Sequence, residues 1–164
     1  MIKIIQATTD EQLNHVRSLK RGQVLWQKQT YHDIPERVDT YFDPQKFEEG
    51  LASLPGKFAP PSGRLLLAYY NGVAAGTVAL CDLGNQICEM KAMFVYTHFQ
   101  GKGIGRALAE ALIEHAQTIG YVKMRLDTSP RQLAALGLYR SLGFQEIDPY
   151  HELPIELIFM ELSL

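Results

Sequence analysis

The dipeptide Asn71-Gly72, placed between two apolar runs, constrains the fold more than any other feature of this sequence. The runs cover residues 64–70 and 73–81, and an Asn-Gly pair readily adopts the positive φ angles that a two-residue type I′ turn requires. A second turn at Gly84-Asn85 leads into a third apolar run over residues 86–95. The sequence therefore predicts a three-stranded antiparallel meander over residues 64–95.

Helix and strand patterns alternate on both sides of this meander. A β-branched strand at the N-terminus is followed by a helix with Leu13, Val16 and Leu19 at helical spacing. Residues 23–61 have little periodicity and predict one short helix. After the meander we predict a helix, a strand, a helix and two strands, at residues 104–119, 121–126, 129–143, 144–147 and 154–162. A parallel crossover joins the third meander strand to the next strand, so the sheet is predicted to be mixed and mostly antiparallel.

The length and charge of the chain limit its class. With 164 residues, it is expected to form a single domain over residues 1–164. Hydrophobic residues make up 46% and the net charge is −2, which excludes a disordered chain and a DNA-binding protein that depends on a large positive field. No apolar run approaches the roughly 20 residues of a membrane helix. We therefore expect no nucleic-acid or membrane partner and, since no signal peptide is recognisable, a cytoplasmic location.

Cysteine and histidine residues do not form a recognisable metal motif. The five histidines are scattered along the chain, and neither cysteine has metal-ligand spacing to any of them. If Gly84-Asn85 is the hairpin turn, Cys81 and Cys88 lie opposite each other across two strands, where they could form a disulfide, although reduced thiols are expected in a reducing compartment. The sequence thus predicts no metal site.

A glycine-rich turn after the meander predicts an anion-binding site. Gly101, Gly103 and Gly105 precede a helix, where unobstructed backbone N–H groups meet the positive end of the helix dipole. A P-loop is excluded because Gly101-Lys102 is followed by glycine. The dinucleotide fingerprint is a rival, since Asp127 ends the next strand. Arg106 at the third glycine position, the longer turn and the antiparallel meander argue against it.

Two sequence blocks instead resemble the GCN5-related N-acetyltransferase (GNAT) superfamily, in particular a generic bacterial branch. Gln100, Gly103 and Gly105 match the acyl-CoA motif, which is Arg or Gln, two residues, Gly, one residue, then Gly or Ala. Residues 138–144, with the sequence LYRSLGF, are similar to a second motif, Leu-Tyr, three residues, Gly-Phe. The chain departs from the pattern at Thr97, where a proline is usual. The resemblance covers nearly the whole chain and implies the acyl-CoA N-acyltransferase fold.

The resemblance also implies a reaction and its residues. Acetyl-CoA would be the co-substrate, and a primary amine would attack its acetyl group directly in a ternary complex. The residues implied in acetyl-CoA binding are three of the preceding strand and seven of the glycine-rich turn: Met93, Phe94, Val95, Gln100, Gly101, Lys102, Gly103, Ile104, Gly105 and Arg106. The strand would pair with the pantetheine arm, and a strand N–H there could stabilise the oxyanion.

Tyr139 and Glu89 are the candidate catalytic residues. The resemblance implies that Tyr139, the tyrosine of the second motif, protonates the departing thiolate. It also implies that Glu89, eleven residues before Gln100 where histone-acetylating members carry a glutamate, acts as a base through water. Glu89 is expected to share a strand face with Lys91, Met93 and Val95. Each residue also has a structural explanation, as a core tyrosine and as the partner of Lys91 in an ion pair.

The sequence does not identify the amine that accepts the acetyl group. It would be shaped by residues 23–61 and the stretch around Tyr150. A closed aromatic pocket would favour a small-molecule amine, whereas a wide acidic groove would favour a basic peptide or protein. An acyl-CoA-binding regulatory module without acceptor chemistry is a further alternative, and the chain could form a homodimer.

Overall fold

Seven strands form one mixed sheet in the computed structural model, which describes all 164 residues. The strands are β1 (Ile2–Gln6), β2 (Arg64–Tyr70), β3 (Val73–Gly84), β4 (Ile87–Val95), β5 (Lys123–Thr128), β6 (Gln145–Ile147) and β7 (Ile158–Ser163). Their order is β1-β2-β3-β4-β5-β7-β6. Only the β4–β5 pair is parallel, as the predicted crossover requires.

Five helices accompany the sheet: α1 (Asp10–Thr30), α2 (Glu36–Asp39), α3 (Pro44–Ala52), α4 (Ile104–Ile119) and α5 (Leu133–Ser141). One core lies where α4 and α5 pack on the sheet, through residues such as Leu108 and Leu136. A second, smaller core lies on the opposite face, where α1 contributes Val16 and Leu19. No helix is long and apolar enough to cross a membrane.

The first helix is longer than the sequence pattern predicts. A capping box of Thr9 and Gln12 starts it, and Leu13, Val16 and Leu19 are buried as expected. The helix then continues to Thr30. Its second half lines cavities rather than the core, so its inward residues are polar or aromatic and the apolar period is lost.

The second hairpin turn differs from its prediction and corrects the cysteine pairing. The Asn71-Gly72 turn forms as predicted, with both residues at positive φ. In the second hairpin, however, Gly84 pairs with Ile87, so that residues 85 and 86 make the turn. Cys81 therefore pairs with Glu89, and Cys88 pairs with Asp82. Because side chains alternate along a strand, the two buried, free thiols lie in different cores on opposite faces of the sheet.

A bulge in β4 corrects a second prediction. Ala92 has φ +54°, and the register with β3 shifts beside it. The extra residue reverses the alternation of side chains. Met93 and Val95 consequently pack on the α4 core, while Glu89 lies on the face of Cys81 and the α1 core. The expectation that Glu89, Met93 and Val95 share one face is wrong.

Candidate active site

The parallel strands β4 and β5 diverge, and this gap is the centre of the site. They pair only over Ile87–Glu89, although β4 pairs with β3 as far as Val95. Beyond Glu89, one backbone edge of β4 is free. The carbonyls of Met93 and Val95 point into the gap and accept hydrogen bonds from Gln23 Nε2 at 3.4 Å and Gln100 Nε2 at 3.3 Å.

A cleft of about 370 Å³ extends from this free edge to the glycine-rich turn. Gly101 and Gly103 have φ of +80° and +82°, and a Cβ at either would touch nothing within 4 Å. These glycines are needed for the backbone conformation rather than for space. Eight of the ten residues predicted to bind acetyl-CoA line the cleft: Met93, Phe94, Val95, Gln100, Gly101, Gly103, Ile104 and Gly105.

The turn presents unpaired backbone donors at the start of α4. The first intrahelical bond runs from the N–H of Ala107 to the carbonyl of Gly103. The N–H groups of Ile104, Gly105 and Arg106 consequently have no acceptor within the helix. Gly103 is the N-cap and offers no side-chain oxygen to satisfy them. Together with the helix dipole, these donors are suited to hold an anion.

Lys102 and Arg106 do not line the cleft. Lys102 Nζ lies 5.4 Å from the centre of the Tyr70 ring. The guanidinium of Arg106 contacts Glu110 Oε1 at 3.4 Å and the hydroxyl of Ser141. Both side chains add positive charge near the turn, but only their backbone N–H groups belong to it.

A second, more enclosed cavity of about 200 Å³ adjoins the cleft in the gap between β4 and β5. Trp26, Met93 and Gln132 lie in the walls of both spaces. The remaining walls come from α1, from the chain around Tyr31 and Arg37, from the end of β5, from Tyr139 and from residues 153–157. Part of the segment 23–61, which is predicted to shape an acceptor site, thus lines this cavity.

Tyr139 reaches this cavity from α5. Its side chain is 4% exposed, and its hydroxyl makes no hydrogen bond with the protein. Among the fully buried side-chain polar atoms, Gln6 Nε2 alone lacks a hydrogen-bond partner. Since the Tyr139 oxygen also lacks a partner, it is not fully buried, and it is open to the cavity that Tyr139 lines. Burial, and secondarily the charge of Asp127, raises the pKa of Tyr139 well above its usual value. The phenol therefore stays protonated.

Glu89 is buried beside the gap but does not line the cavity. Its Oε1 lies 3.1 Å from Lys91 Nζ, and its Oε2 accepts a hydrogen bond of 2.6 Å from the Tyr150 hydroxyl. Burial alone would lower the pKa of Lys91, but the charge and hydrogen bond of Glu89 outweigh it and raise that pKa. The ion pair with Lys91, one of the two explanations for Glu89, is present.

Two residues that the sequence does not place in an acetyltransferase site, Asp127 and His151, stand next to Glu89. His151 Nε2 lies 2.6 Å from Asp127 Oδ2, and Asp127 is in the cavity wall. The ligand atoms of Glu89, Asp127 and His151 lie within 4.8 Å of one another. The position of Asp127 at the end of β5 was a usable signal. His151 lies in an irregular segment between β6 and β7, where no sequence period indicates what it contacts.

Comparisons with known proteins agree with this architecture. The model of the acetyltransferase (GNAT) family matches residues 24–144. An uncharacterized N-acetyltransferase of Schizosaccharomyces pombe is 35% identical over 123 residues, which cover 73% of this chain and 76% of that protein.

Solved structures share the fold over almost their whole length. An acetyltransferase of the GNAT family from Staphylococcus aureus Mu50 has a TM-score of 0.78 at 20% identity and covers 99% of both chains. The PaiA N-acetyltransferase of Thermoplasma acidophilum, solved in complex with coenzyme A, has a TM-score of 0.72 at 17% identity and covers 100% of this chain and 99% of that one. The predicted fold class is confirmed. With three quarters of its length matched by the family model, this chain belongs to the GNAT family and is an N-acetyltransferase.

Proposed function

We propose that this enzyme transfers the acetyl group of acetyl-CoA, bound in the cleft, to a small primary amine bound in the enclosed cavity. The observation that carries the proposal is the meeting of these two spaces at Met93, between the free edge of β4 and Tyr139. A thioester in one space and an amine in the other would be in contact there. The transfer is therefore direct and takes place in a ternary complex.

The cleft suits the two chemically different parts of CoA. The free N–H groups of residues 101–106 would hold the pyrophosphate at the positive end of α4. The backbone of Met93 and Val95 would pair with the amides of the pantetheine arm, as a neighbouring strand would. Phe94 would contribute backbone alone, since its side chain packs into the α1 core. The side chains of Lys102 and Arg106 would strengthen the local positive potential without contacting the ligand.

The shape of the cavity supports a small-molecule acceptor. Its volume is about 200 Å³, and Trp26, Tyr31 and Tyr41 line it. A basic peptide would need an open acidic groove along the surface, whereas this cavity is enclosed and has a single acidic side chain, Asp127. A protein acceptor is the less favoured alternative.

An alkyl-ammonium acceptor must lose one proton before its nitrogen attacks and a second as the amide forms, while the departing thiolate gains one. The amine nitrogen forms a bond to the acetyl carbonyl carbon, and the C–S bond then breaks to release the CoA thiolate. An N–H group at the free edge of β4 would stabilise the oxyanion, and the protonated hydroxyl of Tyr139 would donate to the leaving sulfur. The proton lost before the attack would pass to Glu89, and the second would be released to solvent, from which Tyr139 regains the proton that it gives up. Glu89 does not line the cavity, so the transfer to it would run through water beside Asp127, which borders the cavity and has a carboxylate oxygen within 4.8 Å of one of Glu89.

Release of free thiol from acetyl-CoA tests this proposal directly. The enzyme should release CoA when supplied with small primary amines, in a panel that also holds polyamines and lysine-containing peptides. Coenzyme A, but not NADH, should raise the melting temperature. Faster release with the peptides than with every small amine would overturn the small-molecule assignment. Stabilisation by NADH alone would overturn the assignment of the cleft.

The other expectations from the sequence stay predictions. They are a cytoplasmic location, a reaction without a metal ion, no nucleic-acid or membrane partner, a single domain over residues 1–164 and a homodimer. Around Glu89 and Asp127, the hydrogen bonds with Lys91, Tyr150 and His151 already engage oxygens that a metal ion would need.

A further inference from the structure

We infer that the acceptor is an amine that also carries a carboxylate group, as an amino acid does. This inference rests on the proposed function, because it concerns what occupies the enclosed cavity. Of the eighteen residues that line the cavity, two carry a full charge, and the charges are opposite: Arg37 and Asp127. An occupant with one ammonium and one carboxylate group would match both.

Arg37 has no acidic partner. Its Nη2 donates to the backbone carbonyl of Glu156 at 2.7 Å, and its guanidinium lies 4.3 Å from the centre of the Tyr31 ring. The guanidinium of Arg131 also lies over this ring, at 4.7 Å, but it is paired with both carboxylate oxygens of Asp33 at 2.8 and 3.0 Å. Arg37 therefore keeps free N–H donors, and a guanidinium binds carboxylates through two parallel hydrogen bonds.

Asp127 offers a complementary position for the ammonium group. Its Oδ2 is engaged by His151, which leaves Oδ1 without a partner. Asp127 and Tyr139 line the same cavity, and the charge of Asp127 acts on the phenol. An ammonium held at Asp127 would thus present its nitrogen close to the group that protonates the thiolate.

Other amines would leave one of these charges unmatched. A simple alkylamine would occupy Asp127 and leave Arg37 without an anion, and a polyamine would bring a second positive charge toward Arg37. The remaining lining is largely apolar, with side chains such as Trp26, Met90 and Leu153. These residues favour an acceptor whose side chain is uncharged.

The test compares each amino acid with its own carboxamide, for example phenylalanine with phenylalaninamide and leucine with leucinamide. The two have nearly the same shape and differ in the negative charge. The amine of the carboxamide is the less basic of the two, so reactivity alone would favour the carboxamide. CoA release should instead show a kcat/KM at least tenfold higher for the amino acid, chiefly through a lower KM.

Substitution of Arg37 assigns this preference to its guanidinium. Arg37→Met should lower kcat/KM for the amino acid by about 10- to 100-fold, the effect of losing a charge-assisted hydrogen-bonded pair. It should change kcat/KM for the carboxamide little. Arg37→Lys keeps the charge and should retain part of the preference. Arg140→Met removes an exposed arginine without an ion pair and should change neither substrate.

The outcomes separate this inference from the proposed function. Equal or faster acetylation of the carboxamides would overturn the carboxylate assignment while leaving acetyl transfer intact. A preference that persists in Arg37→Met, at an unchanged melting temperature, would also overturn it. Release of no CoA with any amine, although CoA raises the melting temperature, would refute the proposed function itself.

Discussion

Removing the hydroxyl of Tyr139 separates its proposed chemistry from its packing. Tyr139→Phe keeps the ring that packs on Phe144, with centroids 5.7 Å apart, and deletes an oxygen that binds no protein group. Because burial raises the pKa of Tyr139, complete proton transfer to the thiolate is uphill, and the gain comes mainly from a hydrogen bond to a developing charge. Such a bond contributes about 1.5–3 kcal/mol, so kcat should fall about 10- to 150-fold.

Thiol release at saturating acetyl-CoA and saturating amine measures this fall. The melting temperature should change little, because no hydrogen bond within the protein is lost, and stabilisation by acetyl-CoA should persist. Since Tyr139 stays protonated at high pH, wild-type kcat should show no decline that belongs to this group between neutral pH and pH values near 10.

Tyr121→Phe is the matched control, with the opposite expected result. The Tyr121 hydroxyl donates to the Ser62 carbonyl at 2.7 Å, and neither residue lines the cavity or the cleft. Its removal should lower the free energy of unfolding by about 0.5–1.5 kcal/mol and leave kcat unchanged. An unchanged kcat in Tyr139→Phe would refute the acid role, as would a fall in kcat that tracks a loss of stability.

Three further variants test the turn, the base and a buried charge. Gly103→Glu should abolish stabilisation by CoA, which is about 2.7 kcal/mol at one hundred times Kd. The control Gly84→Glu, at a similar positive φ but in a hairpin, should keep this stabilisation. Equal loss in both variants would contradict the anion site. Glu89→Gln should lower kcat at neutral pH, and its kcat should recover as the pH approaches the amine's own pKa. The control Lys91→Met should alter mainly the stability of the protein. A pH-independent loss of kcat in Glu89→Gln would remove Glu89 from the mechanism. Burial, aided by nearby lysines, lowers the pKa of Lys20 to about 8, below its unfolded value, so wild-type stability should rise between about pH 8 and 10.5. Lys20→Met should raise the free energy of unfolding by about 1–3 kcal/mol at pH 7. Chemical denaturation should show that this advantage shrinks above pH 8. An advantage that is the same at all pH values would refute the buried charge.

Local rules predict the regular parts of this fold well. The Asn71-Gly72 hairpin and the glycine-rich start of α4 depend on φ angles that few residues adopt, so the sequence identifies them directly. The start of α5 was harder to predict from the sequence. Ser129-Pro130 predicts a helix from that point, but the side chains of Ser129 and Gln132 hydrogen-bond to the loop, and the helix begins at Leu133.

Features that depend on distant contacts escaped prediction. The bulge at Ala92 involves no glycine or proline, and its effect on Glu89 appears only when β4 is aligned with β3. The pairing of Asp127 with His151, and the approach of Arg37 to the cavity, join segments separated by long stretches of chain. No periodicity in the sequence encodes such contacts. The motif residues and Tyr139 could be identified from the sequence because they lie in short local patterns.

The separation of the two cysteines has a practical consequence for measurement. Burial raises the pKa of Cys88 to about 12 and also raises that of Cys81, so neither thiol is ionised at the pH of a thiol-release assay. A chromogenic thiol reagent should therefore detect CoA against almost no background from the native enzyme. The same reagent, used without substrates, becomes a probe of conformational opening. Each sulfur lies in a different core, on opposite faces of the sheet. Two distinct labelling rates would therefore show that one core opens before the other. A single labelling rate would indicate that the sheet and its helices unfold together.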